Sequence, residues 1–284
     1  MSPFDAGRIA GIWRYPLKSA PGEALAETAM GRAGIPGDRA WALIDGGTGH
    51  IASAKLPRAW GGLLRFSARF AKEPAAGGFI PPLVVTLPDG RIVSSDEPEV
   101  DIMISEAIGR PARLTSVVPE LRIVEREWAD IDGLPTRAAE TTGEIGRRAP
   151  GAFFDHAPVH VLTTAALAAL KAADPTGDAD PRRFRPTLLI DSPGDNAGFV
   201  ENDWTGRAAE IGDLVLRFVE PSPRCIVVTL PHGELPHDLG VLRTLVGANR
   251  IPYEPDSPLM PCLGAYAVVE HPGKVRIGDS VIIR

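Results

Sequence analysis

Cys225 is the residue of this sequence whose type and setting best suit nucleophilic or metal-binding chemistry. It closes residues 220–225 (EPSPRC), in which Pro223 and Arg224 directly precede the thiol. Prolines restrict the backbone ahead of the cysteine, and a neighbouring guanidinium favours the thiolate, the nucleophilic form and a soft ligand for transition metals. The alternative is a core cysteine at the start of a strand, a common setting for a free cysteine. Cys262 has no such neighbours, and we interpret it as a core residue.

Two loops combine positive charge with short polar side chains. Residues 15–22 (YPLKSAPG) place Lys18 beside Ser19 in a loop stiffened by proline, in a chain with only five lysines. A point charge next to a hydroxyl suits a phosphate oxygen, and the alternative is a strand-end turn with one solvated charge. Further along, Arg39 follows Asp38. That arginine is either a phosphate donor held by the carboxylate or half of a structural ion pair.

A third cationic segment lies at residues 182–186 (RRFRP), where three guanidinium groups precede an apolar strand. A solvated run of charge is the alternative interpretation, but the phenylalanine and proline argue against a flexible surface tail. Together with the two loops, Arg185 and its neighbours indicate an anionic ligand.

Two other patterns resemble known motifs without their structural context. Residues 47–52 (GTGHIA) fit the dinucleotide fingerprint G-x-G-x-x-A, but no helix follows them, so we interpret them as a hairpin turn. His156 and His160 have the spacing of a helical metal pair, but Pro158 lies between them and indicates a strand. On a strand the two rings would stand about 13 Å apart, too far to share a metal.

The elements that must position these residues are mostly short strands. Thirty glycines and 28 prolines leave little room for long helices and favour strands joined by turns. Three helices are expected, the first with Asp96 as its N-cap and the second with Thr163 or Thr164. The helices are predicted at 97–108, 164–173 and 238–248. The strands are predicted at 8–15, 39–45, 64–70, 83–87, 91–94, 158–162, 188–191, 214–219, 226–230 and 265–270.

The strand pattern breaks at residues 127–151, where glycines and prolines such as Pro135 and Pro150 are scattered. We place a linker there, between two β-rich modules at 1–126 and 152–284. The predicted fold class is mainly β with a few helices (α+β), in two modules of the barrel or sandwich type.

The composition excludes several classes of protein and partner. A net charge of -6 gives no electrostatic reason to expect nucleic acid or an anionic membrane as a partner. No basic and apolar leader opens the chain, and its longest apolar stretch, 157–170, is too short to cross a bilayer, so a cytoplasmic protein is expected. Two cysteines cannot form a disulfide framework, a four-cysteine zinc site or a protein-ligated iron–sulfur cluster.

Taken together and in order, several segments resemble proteins with a molybdenum cofactor sulfurase C-terminal (MOSC) domain preceded by its N-terminal β-barrel partner. The segments similar to the N-terminal module are YPLKSAPG and GDRAW, and those similar to the MOSC module are FFDHAPVHVLT, RRFRPTLLI, ENDW, PRC and LGAYAVVEHPGKVRIGDSV. The resemblance runs over nearly the whole chain. It implies two β-barrel-like modules, a MOSC-associated N-terminal barrel and a MOSC barrel. By architecture the sequence is also similar to the amidoxime-reducing components and their bacterial counterparts, which reduce N-hydroxylated compounds.

The resemblance implies a mononuclear molybdenum site in which a pterin dithiolene and one protein thiolate hold the metal. Cys225 matches the family's metal-ligating cysteine and is the expected catalytic and metal-binding residue. The residues expected to hold the molybdenum–molybdopterin cofactor are Lys18, Ser19, Arg39, Arg185, Thr187 and Arg224. Pyridoxal phosphate is not expected.

Three residues depart from the family pattern. Thr187 replaces the asparagine that follows R-F-R-P, and Leu263 replaces the aromatic residue before Gly264. Pro223 replaces a small polar residue two positions before the cysteine, and a proline has no backbone N–H to donate.

The resemblance therefore predicts a molybdenum-dependent oxidoreductase that reduces N-hydroxylated small molecules. No cysteine set for a ferredoxin domain follows the MOSC segments, so electrons are expected from a separate ferredoxin- or cytochrome b5-like donor with its reductase. One alternative is a non-redox protein that carries the cofactor or relays sulfur as a persulfide on Cys225. Another is a folded protein whose cofactor site has decayed. Whether terminal strands cross between the modules is left open.

Overall fold

The structure is a computed structural model and describes residues 2–134, 141–146, 148, 149, 151–194, 196–253 and 256–284. Pro135 and Pro150 of the predicted linker lie outside the described residues. The helices are α1 Pro57–Trp60, α2 Val100–Ile108, α3 Thr164–Ala173 and α4 Gly240–Ala248. The strands are β1 Phe4–Arg14, β2 Glu23–Ala24, β3 Glu27–Met30, β4 Ala42–Asp45, β5 Ser67–Phe70, β6 Leu83–Thr86, β7 Ile92–Ser94, β8 Ala112–Thr115, β9 Ile123–Arg126, β10 Thr141–Glu144, β11 Val159–Thr163, β12 Leu188–Asp191, β13 Ala208–Ile211, β14 Leu214–Pro223, β15 Arg250–Pro252, β16 Leu259–His271, β17 Gly273–Arg276 and β18 Ser280–Ile283. In the part of the chain that the structure describes, no helix has the length and apolar character needed to cross a membrane.

Seven strands close into a barrel. Their order is β11, β12, β1, β18, β13, β14 and β16, and β16 then pairs with β11 to complete the ring. All neighbouring strands are antiparallel except β11 and β12. Side chains alternate along each strand, so that Leu214, Leu216 and Phe218 of β14 fill the barrel core together with Ile9 and Val281. The mainly β prediction is confirmed.

The first strand of the chain is part of this barrel. Ile12 of β1 pairs with Leu188 of β12, and Phe4 pairs with Ile283 of β18. Gly7 permits the close approach, because its φ is +118° and a Cβ there would lie 1.9 Å from a backbone oxygen of β12. A second cross-connection joins β3 to β17. Strand pairing therefore crosses the boundaries proposed at 126 and 152, whose positions stay predictions.

Smaller antiparallel sheets form beside the barrel from residues 42–144. They pair β4 with β8, β9 with β10, and β5, β6 and β7 in that order. The hairpin of β6 and β7 turns at Pro88-Asp89-Gly90, between the strands predicted at 83–87 and 91–94. Trp60, Leu63, Phe66 and Ile104 lie in the shared core beneath these sheets and α2.

The strand predicted at 226–230 is wrong. Ile226–Thr229 form a short 3-10 helix instead. Four successive β-branched residues favour a strand by local propensity. However, the buried guanidinium of Arg183 donates to the carbonyls of Val228 and Leu230, which are thereby bound inside the core rather than to a neighbouring strand. Tertiary hydrogen bonding overrides the propensity.

The two predicted helix caps have different outcomes. Thr163 Oγ1 accepts a hydrogen bond from Ala166 N at 3.0 Å, so the cap of α3 is confirmed. The N-cap of α2 is Glu99, which makes no side-chain cap. The predicted Asp96 cap is wrong because its carboxylate accepts from the Ser94 hydroxyl, in the turn ahead of the helix.

Candidate functional site

All seven residues predicted to form the site line one cavity of about 530 Å³. They are Lys18, Ser19, Arg39, Arg185, Thr187, Arg224 and Cys225. This volume lies within the range of about 300–1,000 Å³ that small-molecule and cofactor sites occupy. Six cations and two carboxylates line the cavity, so its wall attracts an anionic ligand.

Three of these residues have an unusual backbone conformation. Ser19, Arg39 and Arg185 have φ values of +67°, +50° and +55°. Asp256 is the one other non-glycine residue with positive φ in the described ranges. A side chain in this region is strained, and such strain concentrates at functional sites where the fold fixes it. The loops thus hold the two guanidinium groups and the serine in set positions.

Asp155 bridges two buried lysines at the cavity wall. Its Oδ1 lies 2.7 Å from Lys18 Nζ, and its Oδ2 lies 3.1 Å from Lys55 Nζ. Burial by itself would raise the pKa of the Asp155 carboxyl, but the charges of Lys18 and Lys55 outweigh it and hold that pKa well below its usual range. Burial lowers the pKa of Lys18 to about 8, against the attraction of Asp155. Lys18 Nζ also donates to Phe153 O at 2.9 Å.

The ring of Tyr15 contacts the guanidinium groups of both Arg39 and Arg185. These groups lie 4.2 Å and 4.5 Å from the centre of its ring, within cation–π range. Arg39 Nη1 also forms a 2.6 Å ion pair with the buried Asp38. No described residue accepts a hydrogen bond from the guanidinium of Arg185, and burial lowers its pKa to about 10. The N–H donors of the Arg185 guanidinium are therefore available to a ligand.

Arg224 and Thr187 bond to the protein rather than into the cavity. Arg224 donates to Ser222 Oγ at 2.7 Å and to Phe184 O at 2.8 Å. The Thr187 hydroxyl accepts from His160 N at 3.1 Å. Because these bonds are already made, both side chains act on the cavity mainly by positioning their neighbours.

Cys225 is half-buried at the cavity wall. Its thiol makes no hydrogen bond with a described residue. Burial lowers the pKa of Lys55, but Asp155 and Cys225 raise that pKa overall. Cys262 is fully buried, and burial raises the pKa of its thiol to about 12. The two cysteines thus have different environments, one facing a cavity and one in the core.

The two histidines with metal-pair spacing bond to protein groups. His156 stacks on Tyr266 at 5.1 Å and lies 3.2 Å from the carboxylate of Glu220. Burial, reinforced by the charge of Arg224, lowers the pKa of His160 to about 3, so this ring is neutral. Gly264 makes room for it, because a Cβ there would lie 2.4 Å from His160 Nε2.

Sequence analysis missed several residues of the cavity. Lys55 is one of only five lysines, and the rarity that drew attention to Lys18 applied equally to it. Asp155 and Tyr266 lie within segments that carried the family resemblance, but no pattern in the sequence assigned them a role. Arg126 ends a strand that was not predicted at all, and Trp128 follows that strand.

Two regions of the chain match known protein families. Residues 149–282 match the MOSC domain, and residues 6–59 match the MOSC N-terminal beta barrel domain. The chain contains a MOSC domain preceded by a MOSC N-terminal beta barrel. The family resemblance predicted from the sequence is therefore confirmed.

Two curated proteins resemble this chain along most of their length. Mitochondrial amidoxime-reducing component 1 of Homo sapiens is 26% identical over 303 residues, covering 98% of this chain and 83% of that protein. The Mus musculus protein of the same name is 25% identical over 300 residues with the same coverage. Among solved structures, the YuaD protein from Bacillus subtilis is 11% identical, covers 99% of this chain and 97% of that chain, and has a TM-score of 0.45.

The cavity lies where the MOSC domain meets the N-terminal beta barrel. The match to the N-terminal barrel contributes Lys18, Ser19, Arg39 and Lys55, and the MOSC domain contributes Cys225 and the remaining predicted residues. The departures from the family pattern lie nearby. Pro223 is the last residue of β14, and Leu263 is fully buried against α3 and α4.

Proposed function

We propose that this protein binds a molybdenum–pterin cofactor in the cavity and reduces N-hydroxylated small molecules. The observation that carries the proposal is the meeting of one cavity-facing thiol, Cys225, with an excess of cations on the same wall. A thiolate is a soft ligand that suits molybdenum, and cations suit the phosphate of a pterin cofactor. The similarity to amidoxime-reducing components supports the choice of substrate.

The residues of the cavity fit such a cofactor in charge and in chemistry. Arg185 offers a guanidinium with no protein acceptor among the described residues, and Arg39 contacts the same Tyr15 ring. Lys18 and Ser19 border the same space. We expect these four residues to hold the phosphate and pterin and Cys225 to ligate the metal. The bound group would supply two-electron chemistry at the thiol side of the cavity.

The proposed reaction cleaves the N–O bond of the substrate. Two electrons and two protons are consumed, the nitrogen keeps a hydrogen in place of the hydroxyl, and the oxygen leaves as water. Lys18 and Lys55, which both pair with Asp155, carry exchangeable protons at the cavity wall. The neutral His160 carries one proton on its ring. In this proposal the two electrons come from a separate donor protein of the ferredoxin or cytochrome b5 type.

The first test is the molybdenum and pterin content of protein expressed in a cofactor-producing host. We expect near-stoichiometric metal in the wild type, loss of the metal in Cys225→Ala, and retention in the control Cys262→Ala, because only the first thiol faces the cavity. Reduction of an N-hydroxylated compound with a donor system should follow the metal content. Full reduction by protein free of molybdenum would overturn the proposal.

A second candidate function is sulfur relay or cofactor carriage. The thiol of Cys225 is half-buried and makes no hydrogen bond with a described residue, so it can also carry a persulfide. Mass spectrometry would then show one added sulfur on Cys225 in protein without stoichiometric molybdenum. Pterin bound without metal would instead favour carriage.

A further inference from the structure

One wall of the cavity has no part in the function proposed above. Arg126 ends β9, and Glu127 and Trp128 follow it along the cavity. Glu127 N donates to Lys55 O at 2.8 Å, so this wall lies directly beside Lys55, whose pKa Cys225 helps to raise. Residues 126–128 lie outside both regions that match the MOSC family. They therefore belong to the middle segment of the chain, between the two matched regions.

The guanidinium of Arg126 has no partner of opposite charge among the described residues. Its Nε is buried and has no hydrogen-bond partner. The adjacent Glu127 does not neutralise it, because that carboxylate pairs with Arg58 at 2.9 Å. A half-buried cation without an acceptor is costly, and an anionic ligand in the cavity would relieve that cost.

The fold also makes room for this guanidinium. Gly143 lies on β10, the strand paired with β9, and a Cβ at that position would lie 2.6 Å from Arg126 Nη2. The ring of Trp128 lies 5.8 Å from the Arg126 guanidinium carbon. The absence of a side chain at Gly143 therefore leaves space for the guanidinium of Arg126, which also lies near the ring of Trp128.

The rest of this wall is apolar and lies close to Cys225. Met260 and Pro258 border the cavity with Trp128. Arg224 N donates to Pro261 O at 2.7 Å, which joins the segment of Met260 to the segment of the cysteine. An aromatic and thioether surface suits a flat ring rather than a phosphate, which is the other anion that Arg126 could bind.

We propose that Arg126 binds the carboxylate of a planar, aromatic N-hydroxylated substrate whose ring lies against Trp128. The inference rests on the proposed reductase function and specifies its substrate class. The bidentate fork of arginine matches a carboxylate, and Arg126, Trp128 and Cys225 line the same cavity.

The test compares two substrates that differ only in the carboxylate, benzamidoxime and 4-carboxybenzamidoxime. In the wild type, the carboxylated compound should have the lower KM. Arg126→Gln should raise that KM about tenfold or more, because a charge-assisted hydrogen bond is lost, and should change the KM of benzamidoxime far less. Arg126→Lys should restore part of the difference. The control is Arg113→Gln, an exposed arginine on β8, which should leave both KM values unchanged.

A second variant acts on Arg126 without removing its charge. Gly143→Ala places a methyl group where Nη2 lies, so the guanidinium must move away from its present position. We expect the preference for the carboxylated substrate to fall in this variant too. An unchanged preference in both Gly143→Ala and Arg126→Gln would overturn the inference.

Equilibrium binding separates this inference from the reductase proposal. Calorimetry with 4-carbamoylbenzoate, which has no N–O bond, should show binding to the wild type about tenfold tighter than to Arg126→Gln. This result would stand even if neither amidoxime were reduced. Equal binding to the two proteins would overturn the inference. Loss of pterin from Arg126→Gln would instead assign this arginine to the cofactor phosphate and would also overturn it.

Discussion

The positive charges on the two sides of the cavity have different partners. On the side of the N-terminal barrel, Lys18 and Lys55 share Asp155, and Arg39 pairs with Asp38. On the side of the MOSC domain, the guanidinium of Arg185 lies over the Tyr15 ring, and no described carboxylate lies within ion-pair distance of it. On the first side carboxylates balance most of the positive charge, whereas the guanidinium of Arg185 has no carboxylate partner.

This difference separates charges that stabilise the fold as well as border the ligand from a charge that serves binding alone. An ion pair with a buried partner is costly to break, because one charge is then left without compensation. An unpaired guanidinium contributes little to folding and gains from an anion. The two sides should therefore respond in opposite ways to substitution.

The largest effect is expected when the shared carboxylate is removed. Asp155→Asn leaves Lys18 and Lys55 facing each other without compensation and should lower the free energy of unfolding by about 1–3 kcal/mol, a value reduced from that of a fully buried pair because the Asp155 side chain is 32% exposed. Urea denaturation of the cofactor-free protein measures it. Asp89→Asn is the control, since Asp89 pairs with Arg91 on the surface. Equal stability of Asp155→Asn and wild type would contradict the comparison.

The opposite response is expected at Arg185. Arg185→Gln should leave the cofactor-free protein at least as stable as the wild type, because burial already disfavours this charge and lowers its pKa to about 10. The bound pterin per chain should fall severalfold, because a phosphate or pterin oxygen loses its donor. Arg182→Gln, in the same segment but more than half exposed, is the matched control. A destabilised Arg185→Gln with full pterin content would reverse the assignment of the two sides.

A smaller effect is expected from pH, through Lys18. Its pKa is about 8 in the folded chain and 10.5 in its ordinary state, so between these values the unfolded chain binds more protons. The contribution of this group to stability therefore rises as the pH increases from about 8 to about 10.5. In the folded chain Lys18 loses most of its positive charge between about pH 7 and about pH 9, while Arg39 stays charged, so retention of pterin should fall between these two values.

Gel filtration at the two pH values followed by pterin analysis measures this retention. Lys18→Arg keeps a charge at both values and should retain pterin equally at each, provided that its stability matches the wild type. Retention that falls equally in both proteins would assign the pH dependence to another group.

The smallest effect is expected at Ser222, which positions Arg224 on the MOSC side. Its hydroxyl accepts a 2.7 Å hydrogen bond from Arg224 Nη1, and the serine is fully buried. Ser222→Ala should lower the free energy of unfolding by about 1 kcal/mol, because one buried donor loses its acceptor. Ser67→Ala, at an exposed position of β5, provides the comparison. No change at Ser222 would mean that Arg224 finds another acceptor.

Local chemistry made much of this molecule predictable. The prolines and glycines marked the turns, including that of the hairpin of β6 and β7, and Thr163 was one of the two residues predicted to cap α3. The residues of the cavity were found because cations, a serine and a cysteine are unusual beside predicted strands. Where a contact joins distant segments, the same patterns contain no signal. Lys55 and Asp155 are 100 positions apart, and their ion pair could not be inferred from either neighbourhood.

The sequence by itself determined the residue types at each strand end, and with them the chemistry available to the cavity. Only the tertiary structure decided that β1 joins the barrel of the MOSC domain and that residues 226–229 form a helical turn rather than a strand. It also decided which cations are neutralised. The physical reason is that strand pairing, burial and ion pairing depend on which distant groups meet, whereas propensity and turn chemistry act over a few residues.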